Sequence, residues 1–279
     1  MDLLAVDIGN TNLTLGLFEG ARLVGSWRAT TRATATPDEL AALVSGLMGL
    51  DGRALASFGA VAVASVVPPL TAAFGEMVRE RAGTDPFVVD AASLDGVLVM
   101  EIDRPGEAGA DRLANALAAR NEFGGPAIVI DLGTSTNFDL VSSEGAYIGG
   151  AIAPGLGLSL EALVGRTSKL PRIELRRPER AIGSNTVAAM QSGMVIGYAS
   201  LVSGLLAALR AELAGRSPAD AVITVIATGG LTREPWLAEI EGIDAVEPDL
   251  TLCGIRYAWE AVCGEPSPRS PSRDGSVRG

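Results

Sequence analysis

The amino-acid sequence predicts an α/β protein made of two duplicated lobes, and three observations carry that prediction. One stretch occurs twice: residues 6–25 read VDIGNTNLTLGLFEGARLVG, and residues 130–149 read IDLGTSTNFDLVSSEGAYIG. Each copy closes an apolar run on Asp-x-Gly (Asp7-Ile8-Gly9, Asp131-Leu132-Gly133), passes through a hydroxyl-rich turn and an alternating strand, and turns again at Glu19-Gly20 or Glu144-Gly145. A repeat of this kind is the signature of an internal duplication. The chain length of 279 residues, against a prior of about 150 per domain, gives roughly two domains. Behind the first copy, strand and helix patterns alternate in the order βββαβα.

In the first half, residues 3–6 form a buried central strand ending at Asp7. Residues 13–18 and 22–29 follow as antiparallel strands. Pro37-Asp38-Glu39 opens a helix, in which Leu40, Leu43, Val44 and Leu47 fall at helical spacing. Residues 61–67 read as a parallel strand stopped by Pro68-Pro69, before a helix through Ala72, Phe74 and Val78 and a strand at 87–89. Residues 97–102 are expected to add a short strand. Gly109-Ala110-Asp111-Arg112 then introduces a helix carrying Leu113, Ala116, Leu117 and Arg120. Asp111 reads equally as a helix N-cap and as a chemical group, and Arg112 as a solvated arginine or as an anion clamp.

The second lobe starts at Ala127, after Gly124-Gly125-Pro126. Its strands run to Gly149-Gly150, and the glycine-rich residues 151–157 that follow lack the spacing of a dinucleotide fingerprint. Residues 158–164 are expected to be helical. Residues 184–213 form the longest helical pattern, with Gly193 and Gly197 one turn apart and suited to close helix approach in the core or at a dimer interface. A strand at 221–227 leads to Thr228-Gly229-Gly230, and helices at 233–240 and 250–262 are expected to close this lobe. The predicted division is 1–121 for the N-terminal lobe, 122–264 for the C-terminal lobe and 265–279 for a disordered, proline- and serine-rich tail.

Composition excludes several chemistries. There is no histidine, so triads, Cys-His pairs and histidine-bound zinc are absent, and carboxylates remain as proton acceptors. There is no Gly-Lys-Thr/Ser sequence and Lys169 is the sole lysine, which removes the Walker loop. Cys253 and Cys263 have no metal or redox spacing. The net charge of −11 argues against nucleic acid as a partner. No apolar run reaches membrane-span length, and Met1-Asp2-Leu3-Leu4 lacks a basic signal region, so a cytoplasmic location is expected.

Glycine after a strand-end aspartate lets the backbone turn tightly and bring N–H groups close to an anion. The carboxylate can hold the cation that accompanies a phosphate chain. Two such turns suit a cleft for a nucleoside triphosphate and its metal, although a single Asp-x-Gly can also simply close a hairpin.

With this duplication the chain resembles the actin, sugar-kinase and heat-shock-70 superfamily, whose lobes are actin-like (ribonuclease H-like) and enclose a nucleotide cleft. Within it, six motifs in order resemble the type III pantothenate kinases: Asp7-Ile8-Gly9-Asn10-Thr11, Ser65-Val66-Val67-Pro68, Gly109-Ala110-Asp111-Arg112, Asp131-Leu132-Gly133-Thr134, Gly183-Ser184-Asn185-Thr186 and Thr228-Gly229-Gly230.

The resemblance implies ATP-dependent phosphorylation of pantothenate, the first step toward coenzyme A. It implies that Asp7, Ile8, Gly9, Asn10, Thr11, Asn12, Leu13, Thr14 and Thr134 bind ATP, with Mg2+ accompanying the nucleotide. Asp111 would be the catalytic base. Gly109, Ala110, Asp111, Arg112, Thr186 and position 102 would contact pantothenate, and Asp131 would bind K+ or NH4+. A homodimer is also implied. The chain departs from the family at Ile102, where a tyrosine is usual, and at Asn137, where a threonine is common. Another small-molecule kinase of the superfamily and an inactive regulatory relative are the alternatives; a chaperone-type ATPase would need a peptide-binding domain for which there is no length.

Overall fold

The computed structural model describes residues 2–54 and 59–264; the expected tail at 265–279 lies outside them. The chain divides into two compact units. The first comprises residues up to 98, 104–122 and from 251 onward; the second comprises 99–103 and 123–250.

The first unit is built on β1 (Asp2–Ile8), β2 (Asn12–Glu19), β3 (Arg22–Thr30), β4 (Ala60–Ser65) and β5 (Phe87–Val89), in the order β3-β2-β1-β4-β5. β1 lies centrally, antiparallel to β2 and parallel to β4. Such a strand is covered on both sides, which is why Leu3, Leu4, Ala5 and Val6 form an unbroken apolar run. Two helices cross over to the parallel strands. α1 (Pro37–Gly49) starts on a capping box, with Thr36 and Glu39 satisfying each other's backbone N–H. α2 (Pro68–Ala82) starts on two prolines and stops at Gly83, whose φ of +68° is the left-handed end that glycine permits. Leu40, Val44, Met48, Phe74 and Val78 from these helices meet Val6, Ile8, Leu15, Val61 and Val63 from the sheet.

The second unit repeats the plan. β6 (Ala127–Leu132), β7 (Ser135–Val141), β8 (Tyr147–Pro154), β9 (Thr224–Thr228) and β10 (Ala245–Val246) form a sheet of order β10-β9-β6-β7-β8. Strand for strand this is the first sheet again, with β6 antiparallel to β7 and parallel to β9. The slip between the copies lies in the first turn: Asp7 pairs with Thr14, whereas Asp131 pairs with Asn137, one residue sooner. The helical run between β8 and β9 comprises α4 (Leu156–Gly165), α5 (Thr186–Gln191), a π-helical turn (Ser192–Ile196) and α6 (Gly197–Arg216). Val195, Tyr198, Val202, Leu206 and Leu213 carry it into the second core, with Ile128, Ile130, Phe138 and Val225.

Four sequence expectations need correction. Residues 97–102 form no strand; Met100 makes one isolated parallel bridge to Tyr147. Residues 233–240 contain 3₁₀ turns, Gly230–Arg233 and Pro235–Glu239, in place of an α-helix. Added Cβ atoms at Gly193 and Gly197 would meet nothing within 4 Å, so no described element packs closely there and the core alternative for this pair gives way, leaving the dimer-interface alternative open.

The fourth concerns α7 (Leu250–Cys263), expected in the second lobe. From Thr251 onward it belongs to the first unit, with α3 (Ala110–Glu122). Gly254 lies so close to the Ala114 backbone that no Cβ fits between them. Thr251 Oγ1 donates to Asn115 Oδ1 at 2.8 Å, and the Arg256 guanidinium lies over Phe18 at 5.5 Å.

Candidate active site

In the first unit, Asp7 sits half-buried near the carboxyl end of β1, beside the point where antiparallel pairing gives way to parallel pairing. Ligands of α/β sheets gather at carboxyl ends next to such changes of strand order. The turn beyond it is locked by three hydrogen bonds. Gly9 N–H donates to Asn12 O at 2.9 Å, Thr31 N–H to Thr11 O at 2.8 Å, and Thr31 Oγ1 to Gly9 O at 2.7 Å. A Cβ on Gly9 would stand 3.2 Å from Asn12 O, tighter than an ordinary contact. Asn10, Thr11 and Asn12 are exposed, and Thr14 is half-buried. Ile8 and Leu13 bury their side chains in the core, so only their backbone groups remain for a ligand.

The Gly109–Arg112 segment stands at the same end of this sheet. Val66 N–H donates to Ile8 O at 3.1 Å, and Val66 Cγ1 lies 3.6 Å from the Cβ position of Gly109. Ser65 anchors the connection by accepting from Val67 N–H at 3.1 Å and from Thr71 Oγ1 at 2.6 Å. Asp111 lies within the first turn of α3, which begins at Ala110, and so is not the residue before the helix that an N-cap requires. Its Oδ1 accepts the N–H of Arg112 at 2.9 Å.

Burial pushes the Asp111 carboxyl above its ordinary value, against the opposing pull of the Arg112 N–H and guanidinium. A helix N-terminus by itself favours the ionised, weakly basic form of a carboxyl; at Asp111 desolvation outweighs the lowering interactions with Arg112. The result is a stronger proton acceptor.

In the second unit, Asp131 occupies the place of Asp7. Gly133 N–H donates to Ser135 O at 2.9 Å, closing the turn that carries exposed Thr134. The Asp131 carboxylate lies over two glycines: Oδ1 is 2.5 Å from the Cβ position of Gly229, whose φ is +94°, and 3.6 Å from that of Gly133. Register neighbours of Asp131 are Asn137 on β7 and Thr228 on β9. Behind the turn, the hydroxyls of Thr136 and Tyr198 are 2.6 Å apart. Ile102 packs 3.5 Å from the Cβ position of Gly149, in a segment tied to Tyr147 by backbone bonds from Glu101 N–H and to Val99 O. Thr186 is the exposed first residue of α5, capped by Asn185 Oδ1, which accepts from Ala188 N–H at 2.9 Å.

One supporting residue was left open by sequence reasoning. Gly155, in the glycine-rich stretch, donates its N–H to Thr134 O at 3.1 Å, and a Cβ there would overlap the carbonyl oxygens of Gly133 and Thr134. The signal was present as a glycine, but its target lies some twenty residues earlier and is visible only once β8 is paired.

Among solved structures, the chain is similar to the activator of 2-hydroxyisocaproyl-CoA dehydratase from Clostridium difficile with bound ADPNP (14% identity, TM-score 0.51, 94% of this chain and 96% of that one). It is also similar to a Campylobacter jejuni protein described as a Baf family transcriptional activator (17% identity, TM-score 0.55, 92% and 98%). These likenesses bear on the fold alone, an α/β chain with two sheets of one strand order. Among sequences, it is 45% identical over 258 residues to a type III pantothenate kinase of Roseiflexus castenholzii, covering 92% of this chain and 98% of the relative. It is 46% identical over 263 residues to one of Streptomyces griseus, covering 92% and 97%. The family model for type III pantothenate kinase matches residues 3–208. With six motifs in register, two sheets of one topology and relatives matched over nearly their whole length, the chain belongs to the type III pantothenate kinase family.

Proposed function

We propose that this chain transfers the γ-phosphoryl group of ATP to pantothenate, yielding 4'-phosphopantothenate and ADP, the first step toward coenzyme A. Family membership supports the reaction. The structural observation that carries it is the mostly buried Asp111 carboxyl at the sheet end that also bears the Asp7 turn.

In this reading the hydroxyl oxygen of pantothenate bonds to the γ-phosphorus as the bond to the β,γ-bridging oxygen breaks. Asp111 takes the hydroxyl proton. The transition state of phosphoryl transfer is loose, so positioning and charge compensation matter more than base strength, which suits a chain without histidine. Residues 7–14 and Thr134 hold the nucleotide, Ile8 and Leu13 through backbone groups only. Gly109, Ala110, Arg112 and Thr186 hold pantothenate, with Arg112 facing its carboxylate. Ile102 offers an aliphatic contact where the family tyrosine offers a hydroxyl.

Among the described residues no three acidic, histidine or cysteine side chains gather into a metal cage. Mg2+ is usually held by one or two carboxylates plus substrate phosphates, so it is proposed to arrive with ATP. Asp131 suits a monovalent ion better, since a single carboxylate, whose Oδ1 fills the space that Gly229 leaves without a Cβ, supplies one charge where a divalent cage needs several. Bound there, K+ or NH4+ would offset the repulsion between that carboxylate and the phosphates.

A homodimer belongs to the same proposal. Its support is the exposed Ile152, Leu158, Leu163, Val187 and Leu201 of the second unit, together with the open space above Gly193 and Gly197. The helical run 186–216 is long and apolar enough to cross a membrane by length and composition, yet it packs into the second core. We therefore place the protein in the cytoplasm, without membrane or nucleic-acid partners.

The decisive assay measures ADP release from ATP with pantothenate, without it, and with sugars in its place. ADP and 4'-phosphopantothenate should form in equal amounts, and only with pantothenate. Turnover supported equally by a sugar would overturn the reading.

A further inference from the structure

We propose that the Thr228 hydroxyl is a second protein oxygen of the monovalent-cation site, beside the Asp131 carboxylate. This rests on the reading of Asp131 as the cation residue and adds a ligand to it. Thr228 is the last residue of β9 and is wholly buried, and its Oγ1 has no hydrogen-bond partner. Buried hydroxyls are nearly always paired, because an unmade bond costs the full desolvation of the group. An unpaired one therefore points to a missing partner.

Its position narrows what that partner is. Asp131 and Thr228 are opposite one another in the parallel β6–β9 ladder. Residues so paired project from the same face of the sheet, on strands about 4.8 Å apart. The Asp131 carboxylate leans toward the same strand end, with Oδ1 2.5 Å from the Cβ position of Gly229. The carboxylate and the hydroxyl thus belong to one face and one end of paired strands, with no hydrogen bond from the Thr228 hydroxyl to tie them together. A hydroxyl has two lone pairs, so it can ligate K+ and equally accept a hydrogen bond from NH4+.

The duplication supplies an internal control. In the first copy the parallel-ladder neighbour of Asp7 is Ala64, which has no side-chain oxygen. Of two aspartates in equivalent frames, the one assigned to the cation has the buried hydroxyl beside it.

The test is a KCl titration of thermal stability, at ionic strength held constant with NaCl, with and without ATP. Wild type, Thr228→Val, Thr228→Ser, Thr228→Ala and Asp131→Asn are compared. The potassium midpoint should rise about tenfold or more in Thr228→Val and Thr228→Ala, the loss typical when one group supporting a metal site is removed. Thr228→Ser should stay near wild type. In NaCl alone, Thr228→Val should melt no lower than wild type, because an unpaired buried hydroxyl has been replaced by a methyl group of the same shape. Wild-type midpoints in both oxygen-free variants, with the response lost in Asp131→Asn, would refute Thr228 as a ligand and leave Asp131 standing. Loss of ATP affinity in Thr228→Val with an unchanged potassium midpoint would also refute it, pointing the hydroxyl at a phosphate. No potassium response in wild type would remove the reading of Asp131 itself, and the proposal with it.

Discussion

Gly109 leaves the space that the Asp111 carboxylate occupies: a Cβ at position 109 would overlap Asp111 Oδ1, the atom that accepts the Arg112 N–H at 2.9 Å. Gly109 thus positions Asp111, in addition to the substrate contact proposed for it. Gly109→Ala should swing the carboxylate away and lower kcat by about 10²-fold, the scale of a misplacement near 1 Å. The Michaelis constant for ATP should hardly move. Steady-state kinetics with each substrate varied would check this, and unchanged kcat would show that the carboxylate has room to spare.

Asp111→Asn keeps the shape and removes the base. Turnover should fall about 10² to 10⁴-fold. Its stability should move the other way. The folded chain holds the Asp111 proton more tightly than the unfolded chain, where aspartate titrates near 3.8. Between that value and the raised folded one, the native state binds more protons, so this group's contribution to stability falls as pH rises through the window. Above the window the cost of the buried charge is fully present, and asparagine avoids it. Melting curves should show Asp111→Asn more stable than wild type at neutral pH, with the gap closing on acidification toward 3.8. A variant less stable at neutral pH would mean that contacts of the carboxylate outweigh its desolvation.

Asp131 tests the cation. Wild-type activity should be high in potassium or ammonium chloride and low in sodium or lithium chloride. Asp131→Asn should lose both the activity and the distinction between salts. Equal initial rates in all four salts would remove the cation from the scheme.

Arg112 tests substrate charge. Its guanidinium suits bidentate capture of a carboxylate, which an ammonium cannot reproduce. Arg112→Lys should raise the Michaelis constant for pantothenate by about 10-fold or more, the scale of one charged hydrogen bond, and leave that for ATP within a factor of two or three. Equal changes in both constants would reduce Arg112 to a general contributor to charge.

The duplication was legible before any coordinates. Asp-x-Gly, a hydroxyl-rich turn and Glu-Gly at matching separations specify strand, turn and hairpin through neighbours in sequence, and the two sheets share one strand order as a result. The helix start at Pro37 was legible for the same reason, since a cap and its helix lie within four residues of each other, whereas Pro68-Pro69, read as the stop of a strand, also opens α2 without a side-chain cap. The strand expected at 97–102 failed because an apolar run needs a ladder partner, and only Met100 finds one, at Tyr147.

The sequence by itself determined the strand-end aspartates, the glycines beside them and the absence of histidine, and with these the class of chemistry. Only the tertiary structure decided that α7 packs against α3 through Gly254 and Ala114, that Gly155 backs the Thr134 turn and that Thr228 adjoins Asp131. It also decided the proton affinity of Asp111, which burial raises where the helix end alone would lower it. The physical reason is range. Turn and helix preferences are sums over a few adjacent residues, whereas desolvation and close backbone contact depend on atoms that the chain brings together from far apart.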